Sequence, residues 1–266
     1  MRNTIMLGLV ASLAAAGAHA QGGAAARLES SPRHQEWVAV KHGERTVHAF
    51  LVFPEKKEKA LAIVVIHENR GLTDWVRGVA DQLAEAGYIA IAPDLLSGMA
   101  PEGGKTSHFA SSDAAREAIY ALTPDQVTAD LAAVAAHVRA LPACNGKVAV
   151  AGFCWGGSQS FRFATSGAAL AAAFVFYGTG PDDPAAIARI ACPVYGFYGE
   201  DDARVNATLA GSQDLVKKAA KKFEPVTYAG AGHGFMRAGE EPDASPANKK
   251  ARGEAWKRWK TLLAGL

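Results

Sequence analysis

Short runs of consecutive apolar residues alternate along the chain with stretches whose apolar positions recur at helical spacing. Strand-length runs fall at Glu36 to Lys41, Thr46 to Phe53, Ala62 to His67, Tyr88 to Pro93, Lys147 to Gly152, Ala171 to Tyr177, Val194 to Tyr198 and Pro225 to Tyr228. The first two predict an antiparallel hairpin turning at His42-Gly43-Glu44. The later ones are apolar on successive residues, as strands covered on both faces of a parallel sheet must be. Between them, Asp74 to Ala86 predicts a helix closed by Gly87. Thr123, Pro124 and Gln126 supply an N-cap, a first-turn proline and a capping-box partner for another. Lys249 to Lys260 interleaves basic residues with Trp256 and Trp259, followed by Leu262 and Leu263, and predicts an amphipathic helix docked by its apolar side. Leu96 to Ser112 and Gly178 to Ile187, rich in Gly, Ser, Pro and Asp, predict loops beyond strand carboxyl ends, where open α/β sheets place ligands. Together these elements predict one α/β domain, a mostly parallel eight-stranded sheet with helices on both faces, without internal repeat, linker or second domain.

The amino-terminal residues follow a different pattern. Arg2, the alanine-rich apolar stretch Ile5 to Gly17 and the small-x-small run Ala18-His19-Ala20 predict a secretory signal peptide over residues 1–20, leaving a mature domain over 21–266. That stretch is shorter than the span of about 20 apolar residues a membrane helix needs. A periplasmic or secreted protein, soluble and monomeric after cleavage, is the expectation. The 266-residue chain is 49% hydrophobic and 20% charged, enough to bury a sizeable core, and its net charge of +2 offers no electrostatic basis for binding nucleic acid. Of the three cysteines, Cys144 and Cys192 each precede a strand and could pair if the strand starts lie close, which would leave Cys154 as the odd thiol.

The candidate chemistry converges on three strand ends. Gly152-Phe153-Cys154-Trp155-Gly156-Gly157 joins a strand to a helix in the nucleophile-elbow pattern, with cysteine in place of serine. Glycines on either side allow strand and helix to approach, and a helix amino terminus next to the sulfur favours thiolate. A thiol nucleophile needs a base and an orienting acid, which in this fold follow in the order acid, then histidine. Gly199-Glu200-Asp201-Asp202 lies after a later strand, with Asp202 48 residues beyond Cys154, and His233 sits 31 residues further on between Gly232 and Gly234. Glu200, Asp201 and Asp202 compete for the acid, and Asp202 matches the G-x-x-D-x-x-V register from Gly199 to Val205. His67-Glu68 could suggest zinc, but the second histidine of H-E-x-x-H is missing, so neither metal nor organic cofactor is expected.

With these pieces assembled, the mature chain resembles the dienelactone hydrolase (carboxymethylenebutenolidase) family of α/β-hydrolases. The resemblance rests on the elbow Gly152 to Gly157, on Tyr198 to Val205, on Gly230 to Arg237, and on the glutamate of His67-Glu68-Asn69-Arg70-Gly71. It implies Cys154 as nucleophile, His233 as base, Asp202 as orienting acid, and Glu68 as the residue that holds the resting thiol and helps deprotonate it. It further implies an oxyanion hole from the amides of Asn69 and Trp155, and a substrate carboxylate held by Arg237 and Arg116 with Tyr120 lining the pocket. The substrate would be a small ester or lactone. His67 and Asn69 depart from the side chains common in the family. Two other functions compete: an exported carboxylesterase or thioesterase of broader specificity, and a non-hydrolytic thiol or binding protein on the same fold, against which the missing C-x-x-C partner speaks. Sequencing the amino terminus of the exported protein is expected to find Gln21 or a close neighbour first, and an intact Met1 would overturn the cleavage.

Overall fold

Strand β3 (Ala60–Ile66) has all seven residues buried, and period-two geometry divides them between two cores. Leu61, Ile63 and Val65 face one apolar cluster, while Ala60, Ala62, Val64 and Ile66 face the other. Each large aliphatic side chain so buried contributes roughly 1.5–3 kcal/mol. A strand of this kind needs helices on both sides, and the computed structural model, which describes residues 23–266, supplies them. The expected signal peptide at residues 1–20 lies outside the described residues.

Preceding β3 are helix α1, described over residues 23–30, and the hairpin β1 (Gln35–His42) and β2 (Arg45–Val52). After it come α2 (Asp74–Glu85), β4 (Ile89–Pro93), α3 (Ser112–Ala121), α4 (Pro124–Arg139), β5 (Cys144–Phe153), α5 (Trp155–Ala164) and β6 (Ala173–Phe176). The chain ends with α6 (Pro184–Ala188), β7 (Val194–Gly199), α7 (Ala203–Asn206), α8 (Leu209–Lys218), β8 (Phe223–Tyr228), α9 (Phe235–Ala238) and α10 (Pro246–Ala264). The eight strands form one sheet in the order β1-β2-β4-β3-β5-β6-β7-β8. Pairings from β4 to β8 are parallel, and the hairpin adds antiparallel pairs at one edge. Trp75 and Val76 of α2 with Trp256 and Trp259 of α10 cover one face, and Leu131 and Val134 of α4 with Phe161 of α5 cover the other.

Some local expectations need correction. The Thr123 side chain caps α4 by accepting from the Gln126 amide at 3.2 Å, but the Gln126 side chain reaches Asp130 at 2.8 Å instead of returning to the cap. Asp130 draws it because this fully buried carboxylate also holds Arg45 and His42, tying the hairpin to α4. The segment Leu96 to Ser112 carries two 3₁₀ turns, and Gly178 to Ile187 ends within α6. Cys144 and Cys192 are buried free thiols. They belong to β5 and to the entry of β7, with β6 between, so about 9 Å of sheet separates them where a disulfide tolerates Cα atoms no more than about 7 Å apart. Removing the Asp130 carboxylate would strand Arg45 next to the core, and Asp130→Ala is expected to lower the unfolding free energy by about 3–5 kcal/mol in urea titrations.

Candidate active site

The bend between β5 and α5 places Cys154 at φ +55°, ψ −116°, a conformation that L residues adopt only under constraint. The constraint is backbone packing. A Cβ on Gly152 would strike the Gly156 carbonyl, one on Gly156 the carbonyls of Ile66 and His67, and one on Gly157 the Phe176 carbonyl. Glycine at those positions therefore lets α5 descend between the ends of β3 and β6, while the Cys154 amide donates to Phe176 O at 3.0 Å. The side chain that cannot fold back into this contact is presented at the carboxyl edge of the sheet.

There the Cys154 sulfur meets His233 Nε2 at 3.1 Å, and His233 Nδ1 meets Asp202 Oδ2 at 2.5 Å. Asp202 is 5% exposed and caps α7, its other oxygen accepting the Val205 amide at 3.4 Å. Its two competitors have other positions: Glu200 accepts from the Gly230 amide at 2.8 Å and braces the histidine loop, and Asp201 is exposed. The Asp201 amide also donates to Ala231 O at 2.9 Å, so the loops after β7 and β8 are held as one unit.

Glu68, on the loop after β3, bonds Arg237 Nε at 3.0 Å rather than its near neighbour Arg70, which is exposed. This carboxylate holds the Arg237 guanidinium above its usual pKa. Burial pushes the Cys154 thiol up to about 11, with the charges of Glu68 and Asp202 adding to the effect, and the Trp155 amide and Arg204 opposing it. The thiolate expected from a helix amino terminus is thus outweighed, and the neutral thiol is the favoured form near neutral pH. Trp155 N–H, which helix geometry leaves without an intrahelical acceptor, is turned to the sulfur.

Asn69 follows Glu68, and its side-chain amide donates to Tyr120 Oη at 3.2 Å, linking the β3 loop to α3. α3 packs through Ala115 and Ile119 against Leu96 and Trp155. Tyr120 is 60% exposed, and Arg116 is exposed beside it, its guanidinium 5.8 Å from the Tyr120 ring centre. The fold therefore brings Cys154, His233, Asp202, Glu68, Arg237, Asn69 and Trp155 together, and leaves Arg116 on an exposed helix face at the periphery.

Two residues escape the sequence patterns. Tyr177, buried at φ +40°, packs its ring edge-on to His233 with centroids 5.1 Å apart. Its hydroxyl lies close to Glu68 without completing a well-formed hydrogen bond, and burial raises its pKa well above the ordinary phenol value. Arg204, exposed two residues after Asp202, carries the positive charge that counters the carboxylates at the sulfur. The signal available for each was position, directly after a strand or two residues beyond Asp202, without any motif to single it out.

The sequence profile of the dienelactone hydrolase family matches residues 47–266. A Salmonella typhimurium protein named "Putative carboxymethylenebutenolidase" is 31% identical over 226 residues, covering 79% of each chain. A namesake from Saccharolobus solfataricus is 29% identical over 254 residues, covering 82% of this chain and 93% of its own. Among solved structures, a Klebsiella pneumoniae protein described as "Putative Dienelactone Hydrolase" superposes with a TM-score of 0.75 at 23% identity, over 88% of this chain and 99% of that one. An esterase from Pyrobaculum calidifontis superposes at 0.63 with 15% identity, over 91% of both chains. These two likenesses establish the α/β-hydrolase fold.

The electrostatics predict how the thiol titrates. A raised acid pKa means that the neutral form persists as pH rises, so alkylation of Cys154 by iodoacetamide, followed by peptide mass spectrometry, should accelerate up to about pH 11. Glu68→Gln removes one of the charges that raise it, and should shift the profile to lower pH with several-fold faster alkylation at pH 8; an unmoved profile would show that Glu68 does not act on the sulfur.

Proposed function

Since the chain belongs to the dienelactone hydrolase family, we propose that it opens small esters or lactones through a Cys154–His233–Asp202 triad. It is a carboxylic-ester hydrolase, and the observation that carries the triad is the continuous line from Cys154 Sγ through both imidazole nitrogens to Asp202. His233 Nε2 takes the thiol proton as sulfur attacks the carbonyl carbon, and Asp202 steadies the imidazolium. Charge on the carbonyl oxygen falls to the amides of Asn69 and Trp155. The imidazolium then protonates the leaving alkoxide. His233 next removes a proton from water, which attacks the thioester, releases the acid and restores the thiol.

The names of the curated relatives suggest a lactone bearing a carboxylate. Such a group would compete with Glu68 for Arg237, whose guanidinium fork suits a carboxylate, with Arg116 and Tyr120 at the pocket rim. Glu68, released from Arg237, would then assist in taking the thiol proton. A broader exported esterase is the second reading, favoured by the exposed, peripheral position of Arg116. On Arg237→Ala, kcat/KM should fall more for an ester with a distal carboxylate than for its neutral analogue, and an equal loss on both would remove the carboxylate clamp.

Incubation with an activated aryl ester should leave an acyl adduct on Cys154, visible by mass spectrometry. Cys154→Ala should abolish the adduct and lower turnover by about 10³-fold or more. A folded Cys154→Ala protein that turns over aryl esters at the wild-type rate would exclude the triad.

A further inference from the structure

His67 directly follows β3 and has no exposed surface, and both ring nitrogens are engaged. The Leu95 amide donates to Nε2 at 3.3 Å, which identifies Nε2 as the bare nitrogen. Nδ1 therefore carries the proton and donates to the Glu68 carbonyl at 2.8 Å. Burial agrees with this neutral tautomer by lowering the imidazole pKa. The ring also stacks on the Trp155 indole, 5.6 Å between centroids and 12° from parallel.

The Glu68 carbonyl and the Asn69 amide belong to one planar peptide unit, in which C=O and N–H point in opposite directions. A donor on the carbonyl therefore fixes the direction of the N–H, and it also polarises that bond. The same side chain rests against the residue whose amide is the other donor. We propose that His67 is a positioning residue for the oxyanion hole: its Nδ1–H aims the Asn69 amide while its ring holds Trp155 in register with it. The inference rests on the assignment of those two amides as the hole in the preceding subsection. His67 itself touches no reacting atom, and the expected signature is a loss of transition-state stabilisation without a loss of binding.

Two variants of the full chain, each of which removes the ring, separate the roles of its two nitrogens. In His67→Asn the side-chain amide can replace the Nδ1 donor; His67→Gln reaches the Nε2 position and leaves the Glu68 carbonyl without its donor. Each is assayed with p-nitrophenyl acetate, whose acylation passes through an oxyanion, and with iodoacetamide, whose displacement does not. In His67→Gln, kcat for ester turnover should drop about tenfold or more with KM within twofold, while alkylation of Cys154 stays within twofold of wild type. His67→Asn should recover the share of the loss that belongs to the Nδ1 donor, since the ring contact with Trp155 is missing from both variants. Equal ester rates in the two variants, or a parallel fall in alkylation and acylation, would overturn the inference alone. A wild type that forms no acyl adduct would overturn the triad as well as this inference.

Discussion

Backbone lies directly on backbone where α5 enters the sheet, and the rest of the site is organised around that contact. Gly152, Gly156 and Gly157 have no room for a Cβ, because the carbonyls of Ile66, His67, Gly156 and Phe176 occupy the space. The turn between them is then too tight for ordinary dihedrals, and Cys154 takes the strain at positive φ. Parallel strands on both sides make this possible, since β3 and β6 deliver their carboxyl ends to the same edge as β5. The residues after β3, β7 and β8 consequently arrive around one sulfur.

Charge around that sulfur is arranged against ionisation. Two carboxylates and extensive burial outweigh one amide and one arginine, which favours Cys154 as a neutral thiol bonded to imidazole. Arg237 lies close but is committed to Glu68, and each neutralises the other within the site. This balance responds to anything that occupies Arg237, since the Glu68 charge would then be left facing the sulfur. A neutral resting thiol is also a poor target for oxidants, which react with the thiolate.

A buried polar network joins the loop after β3 to the segment after β4. Asp94, 1% exposed, accepts from the amide and hydroxyl of Thr106, and the Thr106 hydroxyl oxygen accepts the Leu72 amide at 3.0 Å. His67 closes the other end of the loop through the Leu95 amide and the Glu68 carbonyl. The loop with Glu68 and Asn69 is thus pinned on both sides, although its own sequence has no regular secondary structure.

Much of this was legible in the chain because it is local. Consecutive apolar residues marked strands that need two covered faces, Gly87 and Thr123 marked helix ends, and the glycines around Cys154 marked a turn with steric demands of its own. Cys154, Asp202 and His233 each follow a strand-length run, and for Asp202 the register within Gly199 to Val205 anticipated which carboxylate reaches the imidazole. Pairing and electrostatics depended on neighbours far apart in the chain. Sheet order put β6 between Cys144 and Cys192, the approach of α9 gave Glu68 to Arg237 rather than Arg70, and α3 left Arg116 at the rim. The protonation of Cys154 reversed the local expectation, because a helix amino terminus is encoded next to the sulfur while the burial and carboxylates that oppose it come from other strands. Local sequence thus determined the elements and the steric form of the elbow, and tertiary structure decided the charge state of its thiol, since desolvation and Coulomb interactions are set by the three-dimensional surroundings.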